Sequence, residues 1–212
     1  PTAIALSSTA IDENNTGAVV GDLTTTDEDI GDSHTYTLTG DDADSFEVVD
    51  GQLKLKDGVS ANYEVISSYS LTITATDSSG YTKSTTYPFS VTDINEAPTA
   101  IALSSTAIDE NSAGAVIGDL TTTDEDIGDS HTYTLTGDDA DSFDVIDGQL
   151  KLKDEVSANY EVKDSYAVTV TVTDSGGLSI ASDYIVTIKD INDAPSAINL
   201  TGSLYVNESA AG

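Results

Sequence analysis

Acidic side chains recur in phase along this chain, at points where an apolar run ends or a turn begins. They are Glu13 in "IDEN", Asp27 and Asp29 in "TDEDIGD", Glu64 in "ANYE", Asp77 in "TATD", and Asp93, Asn95 and Glu96 in "DINEA". The set returns as Glu110, Asp124, Asp126, Glu161, Asp174, Asp190, Asn192 and Asp193. Carboxylate and amide oxygens in such number suit the coordination of hard cations. Calcium fits them best, because it takes roughly 6–8 oxygen ligands in forgiving geometry and accepts backbone carbonyls. Zinc would call for His or Cys. Cys is absent, and His34 and His131 stand one per copy inside the strand-like "SHTYT", where they read as solvent-facing. An EF-hand loop beginning at Asp27 fails, because its twelfth residue is Leu38 rather than Glu. A lone "DxD" would be an ordinary turn, but five clusters repeated in phase are poorly explained that way.

The charge balance points in the same direction. Seven Lys, no Arg and 38 acidic residues give a net charge of −31 at pH 7. Such a surface disfavours nucleic acid and anionic membranes and favours cations. Without Cys there is neither a disulfide framework nor a thiolate metal site. No run of eighteen apolar residues occurs, nor a basic start followed by an apolar stretch, so neither a membrane span nor a signal peptide is expected. No GxSxG motif or Cys nucleophile is present, and the paired carboxylates are better used as metal ligands, so an enzyme is not expected.

The elements that must position these groups are repeated too. Residues 1–97 align with 98–194 without a gap, identical at 72 of 97 positions, and Pro195 to Gly212 matches the opening of a third copy. A period of this length is that of a small domain, which predicts domains at 1–97 and 98–194 and a truncated third repeat at 195–212. The chain thus reads as a segment of a longer array. Within a copy, short Thr-, Val-, Ile- and Tyr-rich runs alternate apolar with polar between Gly, Asp, Asn and Ser, the pattern of half-buried strands. Strands are predicted near 2–11, 17–25, 33–39, 46–49, 52–56, 68–76 and 82–93, with no helix. Leu71, Ile73 and Ala75 fall on one face of "SLTITAT", and Asp50-Gly51 suits a type I′ hairpin turn. Tyr36, Tyr63, Tyr69 and Tyr87 sit in apolar alternation and read as core. Seven short strands per copy predict an all-β fold of tandem Greek-key, immunoglobulin-like sandwiches. The link before Pro98 is short and stiff, and loops collected at the sandwich poles would bring the acidic clusters together at the joint.

In order along each copy, "DEN", "DED", "NYE", "TATD" or "TVTD", and "DINEAP" or "DINDAP" resemble the motif series of cadherin domains, over the whole chain. The likeness to bacterial cadherin-like repeats implies a calcium-rigidified extender of a large extracellular adhesin on the bacterial surface or secreted; the alternative is a module adhering to polysaccharide or to another copy. It implies a monomer whose partners are neighbouring repeats. The family's ligand pattern carried onto the first joint gives Glu13, Glu64, Asp93, Asn95 and Glu96 with Asp124, Asp126 and Asp174, completed by backbone oxygen from Ile94 and the loop around Asp129. Those are seven carboxylates for two or three ions. Asn62 and Asn159 stand where the family usually has Asp, which weakens the outermost position. Glu96 replaces the usual Asp, which Asp193 retains. Glu110, Glu161, Asp190, Asn192 and Asp193 would form a weaker half-site, and Asp27, Asp29 and Asp77 the lower half of another. The family's Trp-based strand swapping does not carry over, since Trp is absent.

Overall fold

A computed structural model describes residues 1–195 and residue 197. The expected first strand of a third repeat lies outside the described residues apart from Pro195 and Ala197. The first copy carries β1 (Ala3–Leu6), β2 (Ala10–Asp12), β3 (Val19–Thr26), β4 (Thr35–Thr39), β5 (Phe46–Val49), β6 (Gln52–Leu55), β7 (Ser68–Thr76) and β8 (Thr82–Thr92). The second carries β9 (Ala100–Leu103), β10 (Ala107–Asp109), β11 (Val116–Thr123), β12 (Thr132–Thr136), β13 (Phe143–Ile146), β14 (Gln149–Leu152), β15 (Ser165–Thr173) and β16 (Ser179–Lys189). Among the described residues the only helical segments are single 3-10 turns at Ala43–Ser45 and Ala140–Ser142. Each copy is a Greek-key sandwich of two four-stranded sheets, ordered β1-β3-β6-β5 and β2-β8-β7-β4 in the first, β9-β11-β14-β13 and β10-β16-β15-β12 in the second.

The expected strand 2–11 divides. Its first part, β1, pairs antiparallel with β3, whereas β2 crosses to the other sheet and runs parallel to β8 with Ile11 opposite Val91. The break at Ser7–Thr9 lets one apolar run feed both sheets, with Ile4 and Ile11 each buried. Gly21 makes this crossing possible, because a Cβ there would meet Ser7 Oγ at 2.7 Å and the Ser8 backbone nitrogen at 2.9 Å.

Strand alternation builds the core. In β7, Leu71, Ile73 and Ala75 are all 0% exposed. Thr72 and Thr74 face outward and bond Thr86 and Ser84 on β8, each at 2.8 Å, cross-strand pairs that support the sheet. Phe46 packs edge-on to Tyr69 and stacked on Phe89, with ring centroids at 5.3 and 5.9 Å. Asp50 and Gly51 take φ of 50° and 78°, the two positive angles a type I′ turn demands between β5 and β6.

Of the tyrosines read as core, Tyr69 is buried, and Tyr36 and Tyr87 pack on its edge with their hydroxyls bonded to Thr25 Oγ1 and the Ile4 carbonyl. Tyr63 departs from that reading: it lies in the turn after Ala61, outside any strand, and its side chain is exposed. The alternation around it belongs to a loop. Spatial clustering groups the chain into two compact units: Pro1–Ala100 with the loop segments Thr123–Thr132 and Thr173–Ile180, and Ile101–Thr122 with Tyr133–Val172 and the described residues from Ala181.

Removing a fully buried side chain from this core costs roughly 2–5 kcal/mol. Leu71→Ala will therefore lower the urea midpoint strongly, while Thr72→Ala on the opposite face will change stability by about 1 kcal/mol or less; tyrosine-fluorescence unfolding curves with unchanged slope check both.

Candidate metal centre

The centre grows from the end of β2. Because β2 runs parallel to β8, Glu13 emerges beside the point where β8 gives way to the 93–97 segment, and its N–H donates to the Thr92 carbonyl at 3.3 Å. Asn14 follows with φ of 62° and donates its N–H to the Ala61 carbonyl, turning the chain so that the Glu13 side chain points inward. Glu13 is 1% exposed, yet its carboxylate is well held: Oε1 accepts the Ile94 N–H at 2.8 Å and Oε2 the Tyr63 N–H at 2.6 Å. One buried charge thus ties β2, the 61–64 turn and the segment after β8 together. Oxygens of Glu13, Glu64 and Asp93 lie within 4.8 Å of one another. Ile94, expected to offer its carbonyl, is held by its N–H.

The second copy repeats this geometry. Glu110 Oε1 and Oε2 accept the N–H groups of Ile191 and Tyr160, both at 2.8 Å, and those two donors hold its carboxyl below the usual range. Glu110, Glu161 and Asp190 form the matching group. Asp193 accepts from Asn111 Nδ2 at 3.0 Å, and Asn192 Nδ2 turns to the Asp193 carbonyl at 3.3 Å.

Within the first compact unit, Glu64 belongs to a further group with Glu96 and Asp126. The Glu96 N–H donates to Asp126 Oδ2 at 2.9 Å, and Asn14 Nδ2 donates to Glu96 Oε1. Glu64 Oε2 and Glu96 Oε2 are buried with no hydrogen-bond partner among the described residues. Burial first, and then the charges of Glu13, Asp126 and Glu64, push the Glu96 carboxyl up to about 7. Burial likewise raises Glu64 and Asp126. None of the ion pairs among the described residues gives these groups a lysine. Crowded, partly dehydrated carboxylates with orphaned oxygens are the donor set that a hard divalent cation takes.

Asn95 Nδ2 donates to Asp174 Oδ2 at 3.0 Å and to the Glu96 carbonyl at 3.1 Å. Its side chain lies against Gly176, where a Cβ would overlap it; the first copy has Ser79 at the matching place. Asp93, Asn95, Asp126, Asp129 and Ser175 line an open depression of about 430 Å³. Asn62 is committed locally, accepting the Val65 N–H at 2.8 Å, and its amide reaches Glu125 at 3.4 Å.

The acidic loops bring in Asp32 and His131, which the motif spacing does not mark as ligands. Asp124 is grouped with Asp129 and His131, and Asp27 with Asp32 and Asp77. In the first copy Asp32, the counterpart of Asp129, joins Asp27 and Asp77, and Asp29, the counterpart of Asp126, is exposed. Asp32 binds Ser78 Oγ at 2.6 Å and Asp129 accepts the Ser175 N–H at 3.2 Å, so this third Asp ties its loop to the "TDS" turn. The Ser78 hydroxyl comes first among the causes that lower the Asp32 carboxyl, and the Ser175 side chain first among those that lower Asp129. The histidines are not solvent-facing. His34 and His131 precede β4 and β12, their side chains are 11% and 17% exposed, and each ring meets an aspartate. The signal is their constant place five residues after the last Asp of "DED", which alternation reads as strand.

The Cadherin domain, an adhesion-related extracellular module, matches residues 7–92. Human Protocadherin Fat 1 is 29% identical over 196 residues, 87% of this chain, and the chain spans 4% of that protein's length. The crystal structure of human Protocadherin-24 EC1-2 superposes with a TM-score of 0.67 at 22% identity, covering 88% of this chain and 98% of that one. Protocadherin Gamma B2 extracellular cadherin domains 3-6 gives 0.69 at 23%, over 90% of this chain and 48% of that chain. These likenesses place the fold among the cadherin sandwiches, and no helix among the described residues is long and apolar enough to cross a membrane.

Proposed function

We propose that this chain is a calcium-stiffened spacer: consecutive cadherin-like domains, 1–97 and 98–194, followed by the start of a third, within a large bacterial adhesin outside the cell. The observation that carries the reading is the pair of buried, unpartnered oxygens on Glu64 and Glu96. Glu13, Glu64, Asp93, Glu96 and Asp126 provide the anionic core, with Asn95, Asp124, Asp174 and the Ile94 carbonyl around it. A bound calcium ion would supply the positive charge that these carboxylates lack. Glu13 orients its neighbours through the two peptide groups it holds, and Glu96 and Asp126 link the segment after β8 to the "DED" loop. Two or three ions suit that number of oxygens. The second set, Glu110, Glu161, Asp190, Asn192 and Asp193, and the group of Asp27, Asp32 and Asp77 are half-sites of lower affinity. Identity at 72 of 97 positions supports a spacer, which needs length more than distinct surfaces.

A second reading has its own observation. Ten of the eleven positions of β8 differ from those of β16, so Thr82, Ser84 and Thr86 become Ser179, Ala181 and Asp183. An adhesive surface for polysaccharide or another copy would lie there, and glycan binding or calcium-dependent dimerisation that Thr86→Asp abolishes would favour it.

Calcium titration by calorimetry will show a tight phase that Asp126→Ala removes; retention of full stoichiometry in that variant would refute the assignment. Small-angle scattering will show a longer maximum dimension in calcium than in EDTA. Folded-state binding at one hundred times Kd stabilises by about 2.7 kcal/mol, so the melting temperature will rise with calcium. Glu96→Gln removes a buried like charge and will raise the melting temperature in EDTA while shrinking the calcium-induced gain. Glu13→Gln faces an amide NH₂ against a backbone donor and will destabilise in both buffers, by roughly 1–3 kcal/mol; thermal melts of the two variants separate these effects.

A further inference from the structure

Both copies place an imidazole on the first carboxylate of "DED". His34 Nε2 lies 2.8 Å from Asp27 Oδ2, and His131 Nε2 lies 2.7 Å from Asp124 Oδ2. A carboxylate can only accept, so Nε2 carries the proton in this pair. The other oxygen of each carboxylate accepts a backbone N–H, from Asp29 and from Asp126, both at 3.2 Å. Each aspartate is thus gripped at both oxygens, one contact from inside the acidic loop and one from the residue just before the next strand. The aspartates are 9% and 5% exposed, so these contacts form largely out of water. In the first copy the His34 contact is the foremost cause holding Asp27 well below the usual carboxylate range. In the second, Asp129 lies beside the same imidazole, a second acceptor on that side of the loop.

We infer that His131 is a positioning residue for cation binding at Asp124, and His34 its counterpart at Asp27: the ring N–H fixes the rotation of a ligand carboxylate and ties an eight-residue loop to the strand that follows it. The inference rests on the proposed calcium reading. A carboxylate fixed before the cation arrives loses less freedom on binding, and removing such an outer contact typically lowers metal affinity by roughly 10–100-fold.

The test is calcium calorimetry at fixed pH on the whole chain, with melts in EDTA alongside. Three variants place different groups at the contact. His131→Leu removes the donor, His131→Asn offers an amide too short to reach Asp124, and His131→Gln places an amide nitrogen where Nε2 stands. His34→Leu alters the other copy's loop and serves as control. The expected result is a roughly 10–100-fold loss of affinity in the tight phase for the Leu and Asn variants, recovery with Gln, and no change with His34→Leu. A purely structural histidine would lower the EDTA melting temperature and leave affinity unchanged. Wild-type affinity in His131→Asn, or a Gln variant as weak as the Leu variant, overturns the inference while leaving the calcium reading intact. Absence of any calcium binding by the wild type overturns both. Should His131→Leu fail to fold, the Asn and Gln pair decides alone.

Discussion

The carboxylate of Glu13 holds the candidate centre together. It is 1% exposed, and a buried charge of that kind is tolerable only where donors replace the water it has lost. The Ile94 and Tyr63 peptides do so, at 2.8 and 2.6 Å. Those donors belong to segments some fifty and eighty residues away in sequence, so one side chain fixes where the 61–64 turn and the 93–97 segment meet. Glu64, Asp93 and Glu96 then follow by short chain connections. The crossing of β1 to β2 at Ser7–Thr9 makes this possible, because only a strand lying parallel beside β8 ends where β8 ends.

That arrangement concentrates negative charge. Glu13 is matched by peptide dipoles, but Glu64 and Glu96 keep oxygens that nothing among the described residues satisfies. With seven lysines against 38 acidic residues, the chain has little positive charge of its own to bring there. The protein therefore folds around a deficit of cations, and in the proposed reading ligand binding and mechanical stiffness are one event. The second copy keeps the Glu110 pin; Glu161 is exposed where its counterpart Glu64 is half-buried, and Asp190 is exposed as Asp93 is.

Much of this was readable from residue order. Apolar alternation locates twelve of the sixteen strands among the described residues as single runs, since burial on one face of a pleat forces a period of two. The errors share a cause. The 2–11 run reads as one strand because periodicity does not say which sheet an apolar residue enters. The same alternation misplaces Tyr63 and the two histidines, for Tyr63 lies in a turn and His34 and His131 precede their strands, with the rings bent back to aspartates seven residues earlier. Asp32 lies outside the "DxD" pattern, whose spacing carries no information on which further side chains fold inward.

The sequence by itself determined the repeat, the all-β sandwich, the anionic character and the residue types of the centre, since period, alternation and composition are local or additive properties. It could not show that Glu13 would be gripped by two peptides, that Glu64 and Glu96 would be left with orphaned oxygens, or that an imidazole would clasp each "DED" loop. Those facts depend on distances between segments remote along the chain, and on how much water each carboxylate loses when they meet. Only the packed fold sets either quantity.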